Sequence, residues 1–422
     1  MDFQPVAGNR RSDTEIWDCT MNDETIHSLI EKNRKGDFTI EAHGAPTGTP
    51  VRYRSTRLAF DLGTVLYRSY FRLAADHADR VNLLDRVREY FNIVTVPLFW
   101  HTLEPEPGVY DDRSHQVVCD WCVEHGKKMF GHSIFYGWDG ADDADPADRH
   151  LNFIQPWVRA LEPRRLEQAM KEYLARMLRS FGGKLSEFVL ANEVLGKTTL
   201  ELTDYFSRTL GFNSLEPYFR WAHDLAPRGF YFYLNENSIL FGSKLQPYVE
   251  MIGALIEAGV KIGGIGVQGH MMTDTIPSDE QIWRALDALS VFELPIRITE
   301  FGIQTKDESH YADDMVRFYR LCMAHPSVKG ITRWGIWEPE MWNRDWPVQE
   351  CHLWDRNWSI TPGGKQYVDL VKKEWNSEGA GSLNNAGEFA FRGFHGTYEV
   401  RIGTRAWTVE FGPDSIRQAV VW

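Results

Sequence analysis

Eight short apolar runs of β-type sequence recur between Leu58 and Gly335, and they constrain the fold more than any other feature of the chain. Most of them are separated by stretches whose apolar residues recur every three or four positions, such as Arg164–Arg179 and Leu245–Ala258. Strands that alternate with helices in this way favour a parallel sheet closed into a (β/α)8 TIM barrel of the α/β class. The predicted strands are Leu58–Val65, Asn92–Phe99, Lys128–Phe135, Glu187–Asn192, Gly229–Leu234, Gly264–Gly269, Pro295–Thr299 and Gly330–Gly335.

Two carboxylates stand at the carboxyl ends of predicted strands. Glu193 follows the fourth strand and Glu300 follows the seventh. Side chains at this end of a barrel strand point into the mouth of the barrel, where active sites are built. Two carboxylates in one site can serve a glycosidase as proton donor and as nucleophile or base. A single Glu at such a position could equally bond the end of a strand or form a salt bridge. The prediction therefore rests on the presence of both carboxylates.

Length and charge limit the possible partners. A chain of 422 residues can hold a barrel of about 250 residues and a smaller domain. Its net charge of −13 argues against nucleic acid and anionic membranes, because both require a basic face. We therefore expect neither as a partner, and the oligomeric state stays open.

The amino terminus carries no recognisable targeting signal. Residues 1–11 lack an apolar core, and no segment approaches about 18 continuous apolar residues. We expect a cytoplasmic protein, although a secreted protein whose signal had been removed would look the same.

The five cysteines form no even disulfide framework. Cys119 and Cys122 have CxxC spacing, but they lie in a helix-like stretch without a second pair. We interpret them as core thiols rather than as a redox or metal site.

Both ends of the chain predict β structure outside the barrel. We divide the chain into a polar segment at 1–23, a small β element at 24–57, the barrel at 58–376 and a C-terminal β segment at 377–422. Residues 37–53 read as a β-hairpin, whereas 378–387 read as a linker or turn. Residues 389–411 alternate like antiparallel strands. Neither end is long enough to bury a core alone, so we expect them to pair into one accessory β-domain.

Eight short motifs resemble those of the family-10 glycoside hydrolases, the group that contains the retaining endo-β-1,4-xylanases. Each motif is weak alone, but their common order between Leu58 and Val371 is specific. Of these segments, Ala191–Glu193 resembles the acid/base signature VNE, and Ile298–Glu300 resembles the nucleophile signature ITE. The others are Glu104–Tyr110, Gly131–His132, Asn235–Glu236, Gly264–His270, Trp334–Gly335 with Trp342, and Leu353–Asp355.

The resemblance implies a retaining β-glycosidase that needs no cofactor or metal. Glu193 would protonate the leaving oxygen and Glu300 would attack the anomeric carbon. Asn192 would hydrogen-bond the sugar 2-hydroxyl, and His270 would hold Glu300 ionised. The remaining predicted substrate-binding residues are Gln268, Trp334, Trp342, His132, Tyr136 and Trp138.

The chain departs from the family where the glycone sugar is held. Val96–Trp100 replaces the motif NEMKW, and Gly137 stands where the family has a subsite histidine. Gly302 replaces the Asp that usually follows the nucleophile motif. Since hydrogen bonds left unmade in a desolvated pocket are costly, these changes predict an altered substrate. Phe99, Tyr136 and Trp138 are candidates for a compensating apolar pocket.

Three interpretations remain open. The first is a xylanase-like enzyme acting on xylan or a related β-1,4-glycan. The second is a β-glycosidase acting on an aryl or other small glycoside. The third is a carbohydrate-binding protein without turnover, in which Glu193 and Glu300 are structural.

Overall fold

A computed structural model describes residues 21–138, 153–196, 199–272, 276–305, 310–340, 349–350 and 352–422. The strands are β1 (Lys35–His43), β2 (Pro50–Leu58), β3 (Asp61–Val65), β4 (Ile93–Pro97), β5 (Lys128–His132), β6 (Phe135–Tyr136), β7 (Glu187–Asn192), β8 (Tyr231–Glu236), β9 (Gly264–Met272), β10 (Ile296–Thr305), β11 (Val328–Arg333), β12 (Gln349–Glu350), β13 (Glu378–Ser382), β14 (Glu388–Phe394), β15 (Gly396–Ile402), β16 (Arg405–Phe411) and β17 (Arg417–Val421).

The helices are α1 (Asp23–Arg34), α2 (Ala78–Tyr90), α3 (Trp100–Leu103), α4 (Arg113–Glu124), α5 (Pro156–Arg159), α6 (Pro163–Phe181), α7 (Tyr205–Leu210), α8 (Glu216–Leu225), α9 (Leu245–Glu257), α10 (Asp279–Ser290), α11 (Tyr311–Ala324) and α12 (Pro362–Asp369). Short 3-10 helices span Arg68–Arg72 and Glu338–Glu340, and a π-helical turn spans Leu370–Glu374. None of the described helices is both long enough and apolar enough to span a membrane.

Among the described residues, eight parallel strands form a closed barrel. They follow the order β3-β4-β5-β7-β8-β9-β10-β11, and β11 pairs with β3 to close the ring. All five residues of β3 and of β4 are buried, because the helices cover the outside of the barrel while side chains fill its interior. The predicted barrel is confirmed, and each predicted strand overlaps a strand of the ring.

A network of ion pairs joins the strands at the amino-terminal end of the barrel. The Arg297 guanidinium on β10 lies 2.8 Å from Asp61 on β3 and 2.9 Å from Glu187 on β7. Lys128 on β5 lies 2.7 Å from Asp61. These contacts occupy the end opposite to the one where β7 and β10 present Glu193 and Glu300.

The terminal segments together build a β-sandwich, which confirms the predicted accessory β structure. In the described chain, one sheet has the order β14-β1-β17 and the other the order β13-β2-β15-β16. Residues from both ends of the chain form its apolar core: Phe38, Ile40, Val51, Tyr398, Val400 and Phe411 are among the buried side chains. The boundaries of 1–23, 24–57, 58–376 and 377–422 stay a prediction.

The predicted hairpin was wrong, and the predicted linker or turn at 378–387 holds only for its second half, where the Gly387 N–H donates to the Asn384 carbonyl in a turn. β1 pairs with β14 and β17, whereas β2 pairs with β13 and β15, so the turn between β1 and β2 crosses from one sheet to the other. β1 and β2 both direct their apolar side chains towards the same core. The two strands therefore face each other from different sheets and are not paired edge to edge in one sheet. Residues 378–382 form β13 instead of a linker, because β2 offers them an unpaired edge.

Arg34 connects α1 to the barrel. Its guanidinium donates hydrogen bonds to the carbonyl oxygens of Met323, His325 and Val328, at 2.5–2.8 Å. The Arg34 carbonyl in turn accepts a hydrogen bond from the backbone N–H of His395, 2.8 Å away, at the turn between β14 and β15. α1 is therefore bonded both to the end of α11 and to the sandwich.

We expect Phe38→Ala to lower the free energy of unfolding by about 3–5 kcal/mol. Phe38 is 0% exposed, and its ring stacks on Phe411 with centroids 4.5 Å apart. Denaturant unfolding measures the loss, and Phe389→Ala, at the partly exposed margin of the same core, is the control with a smaller expected effect. Equal stability of the Phe38 variant and the unmodified protein would show that the sandwich core does not stabilise the chain.

Candidate active site

The barrel brings Glu193 and Glu300 to one site. Glu193 follows β7 and is partly exposed, whereas Glu300 lies within β10 and is 5% exposed. Neighbouring strands supply the side chains between them, since Gln268 on β9 is the register partner of Glu300, and Asn235 on β8 is that of Asn192 on β7. The two carboxylates also interact electrostatically, because the charge of Glu300 raises the pKa of Glu193.

Glu300 is surrounded by hydrogen-bond donors. Asn235 Nδ2 donates to Glu300 Oε1 at 2.8 Å, and His270 Nε2 lies 3.3 Å from Oε2. His132 Nε2 lies 3.4 Å from Oε1. Burial alone would raise the pKa of Glu300, but these three neighbours outweigh it and hold the pKa below its ordinary value. Burial lowers the pKa of His132, so that ring adds a positive charge only at acid pH.

The surroundings of Glu193 shift its pKa in the opposite direction, upwards. Gln268 Nε2 donates to Glu193 Oε1 at 2.6 Å, and the Tyr136 hydroxyl donates to Oε2 at 3.1 Å. Burial, followed by the negative charge of Glu300, raises the pKa of Glu193 to about 7. The carboxyl is therefore still largely protonated at mildly acid pH, where Glu300 is ionised.

An amide and a hydroxyl that the sequence analysis gave no role link the two carboxylates. Asn235 Nδ2 also donates to Asn192 Oδ1 at 2.7 Å, and Thr299 Oγ1 donates to Asn235 Oδ1 at 2.6 Å. Asn192 Nδ2 lies 3.4 Å from Glu193 Oε1. The network orients both Asn192 and Glu300, and the signals for it were Asn235 at the end of a predicted strand and Thr299 within the motif Ile298–Glu300.

Most of the other predicted site residues surround this pair. The rings of His132 and Trp334 are 5.1 Å apart, which places the Trp334 indole beside the Glu300 end of the site. Gln268 and His270 contact one carboxylate each, as described above. Trp342 lies outside the described residues. The substrate-binding roles of these side chains stay predictions.

Five ring-bearing side chains, Tyr136 among them, pack together beside Glu193 and are here called the aromatic wall. Phe153, which the sequence analysis did not single out, is central to it: its ring centroid lies 4.5 Å from Tyr136, 5.1 Å from His101, 5.7 Å from Phe99 and 6.2 Å from Trp138. All five side chains are partly exposed. The wall reaches the site through Tyr136, which bonds Glu193.

Two positions at which the family has glycone-binding residues, Val96 and Gly137, lie in different surroundings in this chain. Val96 is fully buried in the apolar core, so this position offers no polar group to a sugar. At Gly137, a Cβ atom would lie 2.7 Å from Asp204 Oδ1 and 3.0 Å from the Asp204 Cβ. The close approach of the buried Asp204 explains why glycine occupies the place of the subsite histidine.

Cys119 and Cys122 are core thiols, as predicted. Both are fully buried on α4, and burial raises the pKa of the Cys119 thiol to about 12. A thiol that stays protonated is a poor nucleophile and a poor metal ligand. No three His, Cys, Asp or Glu side chains within the described ranges are grouped as a metal site would require.

Comparison with known families decides the classification. The model of glycosyl hydrolase family 10 matches residues 64–369, which include both carboxylates and all eight barrel strands except the first residues of β3. The chain belongs to glycosyl hydrolase family 10. The family predicted from the motifs is thereby confirmed.

Curated relatives are similar over most of this chain. Endo-1,4-beta-xylanase 2 of Arabidopsis thaliana is 30% identical over 364 residues, covering 85% of this chain and 31% of its own. Anti-sigma-I factor RsgI6 of Acetivibrio thermocellus is 32% identical over 386 residues, covering 90% of this chain and 46% of its own. The chain thus spans less than half the length of these curated relatives.

Solved structures support the same fold. Xylanase 10B from Thermotoga petrophila, in complex with xylobiose, superposes with a TM-score of 0.65 at 20% identity. The superposition covers 75% of this chain and 95% of the xylanase. At this identity the match establishes the barrel fold alone.

Proposed function

We propose that the protein is a retaining β-glycosidase that cleaves a β-1,4-linked glycan such as xylan by double displacement. The observation that carries the proposal is the contrast between the two carboxyls: burial and the charge of Glu300 raise the pKa of Glu193, whereas donors lower that of Glu300. Two carboxyls whose surroundings push their pKa values apart suit one acid and one nucleophile.

Each residue has a defined role in the proposed reaction. The Glu300 carboxylate attacks the anomeric carbon while Glu193 transfers its proton to the departing glycosidic oxygen, which leaves a covalent glycosyl-enzyme. Glu193, now ionised, then removes a proton from water, and the oxygen of this water displaces Glu300 from the anomeric carbon. In this proposal Asn192, whose side-chain oxygen accepts a hydrogen bond from Asn235, donates to the sugar 2-hydroxyl.

Xylan is the first candidate substrate because of the relatives. Several of those at about 30% identity are named endo-1,4-β-xylanases, and the T. petrophila structure contains xylobiose. One relative at similar identity is named an anti-sigma-I factor and not a hydrolase, so turnover by this chain has to be tested. Carbohydrate binding without turnover is therefore kept as an outcome of the labelling experiment described in the Discussion.

The aromatic wall favours a second candidate, a β-glycoside with an apolar or aryl group. Where the family carries Asn, Glu and Lys, this chain presents the buried Val96 and Pro97 and the partly exposed Phe99. An apolar group stacked on Phe99, Tyr136 and Phe153 would gain buried area without requiring the missing hydrogen bonds.

We expect kcat/KM to follow a bell-shaped pH profile. Activity requires an ionised Glu300 and a protonated Glu193, so it rises with pH through the pKa of Glu300 and falls through that of Glu193. The alkaline limb should lie near pH 7, since the pKa of Glu193 is raised to about 7, and the acid limb below the ordinary carboxyl range. Rates on an aryl β-glycoside across pH 3–9 measure both limbs. A flat profile through pH 7 would contradict the assignment of Glu193.

We expect slow hydrolysis of xylo-oligosaccharides relative to at least one other β-glycoside, because this chain lacks the polar side chains with which the family binds the glycone sugar. Phe153→Ala should lower kcat/KM for an aryl glycoside by about tenfold while changing that for xylotriose less. A panel of aryl glycosides and polysaccharides provides the comparison, and Phe230→Ala, ahead of β8 and far from Glu193, is the matched control. Xylan hydrolysis as fast as any other reaction in the panel, together with an unaffected Phe153 variant, would exclude the second candidate.

A further inference from the structure

A buried ion pair lies beside the segment that carries Glu193. The Lys244 ammonium, ahead of α9, is 2.8 Å from Oε1 of Glu236, the last residue of β8. Glu236 is 0% and Lys244 7% exposed. The same oxygen accepts the Asn237 N–H at 2.9 Å, and Oε2 accepts the N–H of Leu195, two residues after Glu193, at 3.0 Å.

The backbone of Glu193 requires such support. Its φ is +52°, in the left-handed region that residues with a Cβ rarely adopt and that surrounding structure must stabilise. The carboxyl end of β8 provides two bonds: the Asn235 carbonyl accepts the Glu193 N–H at 3.0 Å, and Glu236 accepts the Leu195 N–H. Lys244 pairs with Glu236 in turn, which connects the ion pair to the backbone segment that carries Glu193.

We propose that Glu236 and Lys244 are positioning residues, which hold Glu193 in its left-handed conformation and cancel each other's charge at its carboxyl. The proposal deepens the function proposed above and rests on Glu193 being the acid. Neither residue contacts the substrate; both act through Glu193.

The charges facing Glu193 come from several elements. Glu300 on β10, Glu236 on β8 and Lys244 ahead of α9 influence its pKa, and the Tyr136 hydroxyl on β6 bonds it. His132 and His270 contact the carboxylate of Glu300, which in turn interacts with Glu193. Among these, Glu236 raises the pKa of Glu193 and Lys244 lowers it, so neutralising them one at a time should shift it in opposite directions.

The test replaces the two charges separately and together. Lys244→Met should raise the pKa of Glu193 and Glu236→Gln should lower it, each by about half a unit or more. The double variant should return it close to the original value. Lys244→Gln, whose amide can still donate to Glu236, removes the same charge and serves if the Met variant does not fold. Carbon-13 NMR of labelled Glu carboxyls follows the titration directly, with Glu193→Gln identifying the signal.

Kinetics supply the second readout. Because a misplaced acid slows the chemical step, each single variant should lower kcat about tenfold with little change in KM. The alkaline limb of the pH profile should move with the titration. Lys128→Met, which breaks the pair with the buried Asp61 at the opposite end of the barrel, is the control for a general loss of stability.

The outcomes separate the two proposals. Opposite shifts that the double variant cancels, with a lowered kcat, support the positioning role. Single variants that keep the Glu193 titration and kcat, losing only the stability that Lys128→Met also loses, would overturn it. If the unmodified protein hydrolyses no glycoside, the proposed function fails, yet the titration still decides whether the pair controls Glu193.

Discussion

Glu300→Gln is expected to lower kcat/KM by at least about 10⁴-fold on every hydrolysed glycoside while leaving the fold intact. Glu300 is 5% exposed and bonded by Asn235, and an amide of the same shape keeps the packing but cannot attack the anomeric carbon. Steady-state rates on an aryl glycoside, with circular dichroism to confirm folding, measure the effect.

Glu187→Gln is the matched control for this loss. Glu187 lies at the opposite end of the barrel, on β7, where it pairs with Arg297. Its replacement should lower stability and leave kcat/KM within a few-fold of the original. Comparable activity of the Glu300 and Glu187 variants would mean that Glu300 is not the nucleophile.

Glu193→Ala is expected to depress activity most on substrates with poor leaving groups. A basic leaving oxygen requires protonation, whereas an activated aryl oxide departs without it, so the loss should grow from about 10²-fold or less to about 10⁴-fold along the series. Added azide should restore turnover on good leaving groups, because it attacks the glycosyl-enzyme without needing a base. The product would then be a β-glycosyl azide, which NMR identifies.

The result that contradicts this assignment is equally specific. A Glu193 variant that loses the same factor with every leaving group, and that azide does not rescue, would show that Glu193 has no acid/base role. The same variant should also lose the alkaline limb near pH 7 on a glycoside whose leaving group requires protonation, since the titrating carboxyl is gone.

Local patterns were sufficient to predict the barrel. Its strands are buried on both faces, so they appear as short apolar runs, and helices with a single apolar face separate them. The sandwich was less predictable, because pairing depends on partners hundreds of residues apart, such as Phe38 opposite Phe391. The Gly- and Ser-rich β13 is a strand only because the edge of β2 is available to it.

The candidate site was predictable in its carboxylates but not in its environment. Glu193 and Glu300 stand out because each follows a short apolar run in the sequence and lies in a family motif, although β10 continues beyond Glu300 to Thr305. Asn235 is equally central, but its importance depends on hydrogen bonds to residues on β7 and β10 that spacing does not reveal. Phe153 was missed for the same reason, because only the folded chain brings it against Tyr136 and Phe99.

The most direct test of the account is the identification of the residue that carries the covalent intermediate. A 2-deoxy-2-fluoro-β-glycoside with an activated leaving group forms the glycosyl-enzyme readily and hydrolyses slowly, because the fluorine destabilises both oxocarbenium-like transition states. Incubation with fluoro-xylobiosyl and aryl fluoro-glycosides, followed by proteolysis and mass spectrometry, locates the label. The expected result is a single fluoroglycosyl adduct on Glu300 that is absent from Glu300→Gln and retained by Glu187→Gln. A label on another residue, or no label from any glycoside in the panel while the folded protein still binds sugar, would contradict it.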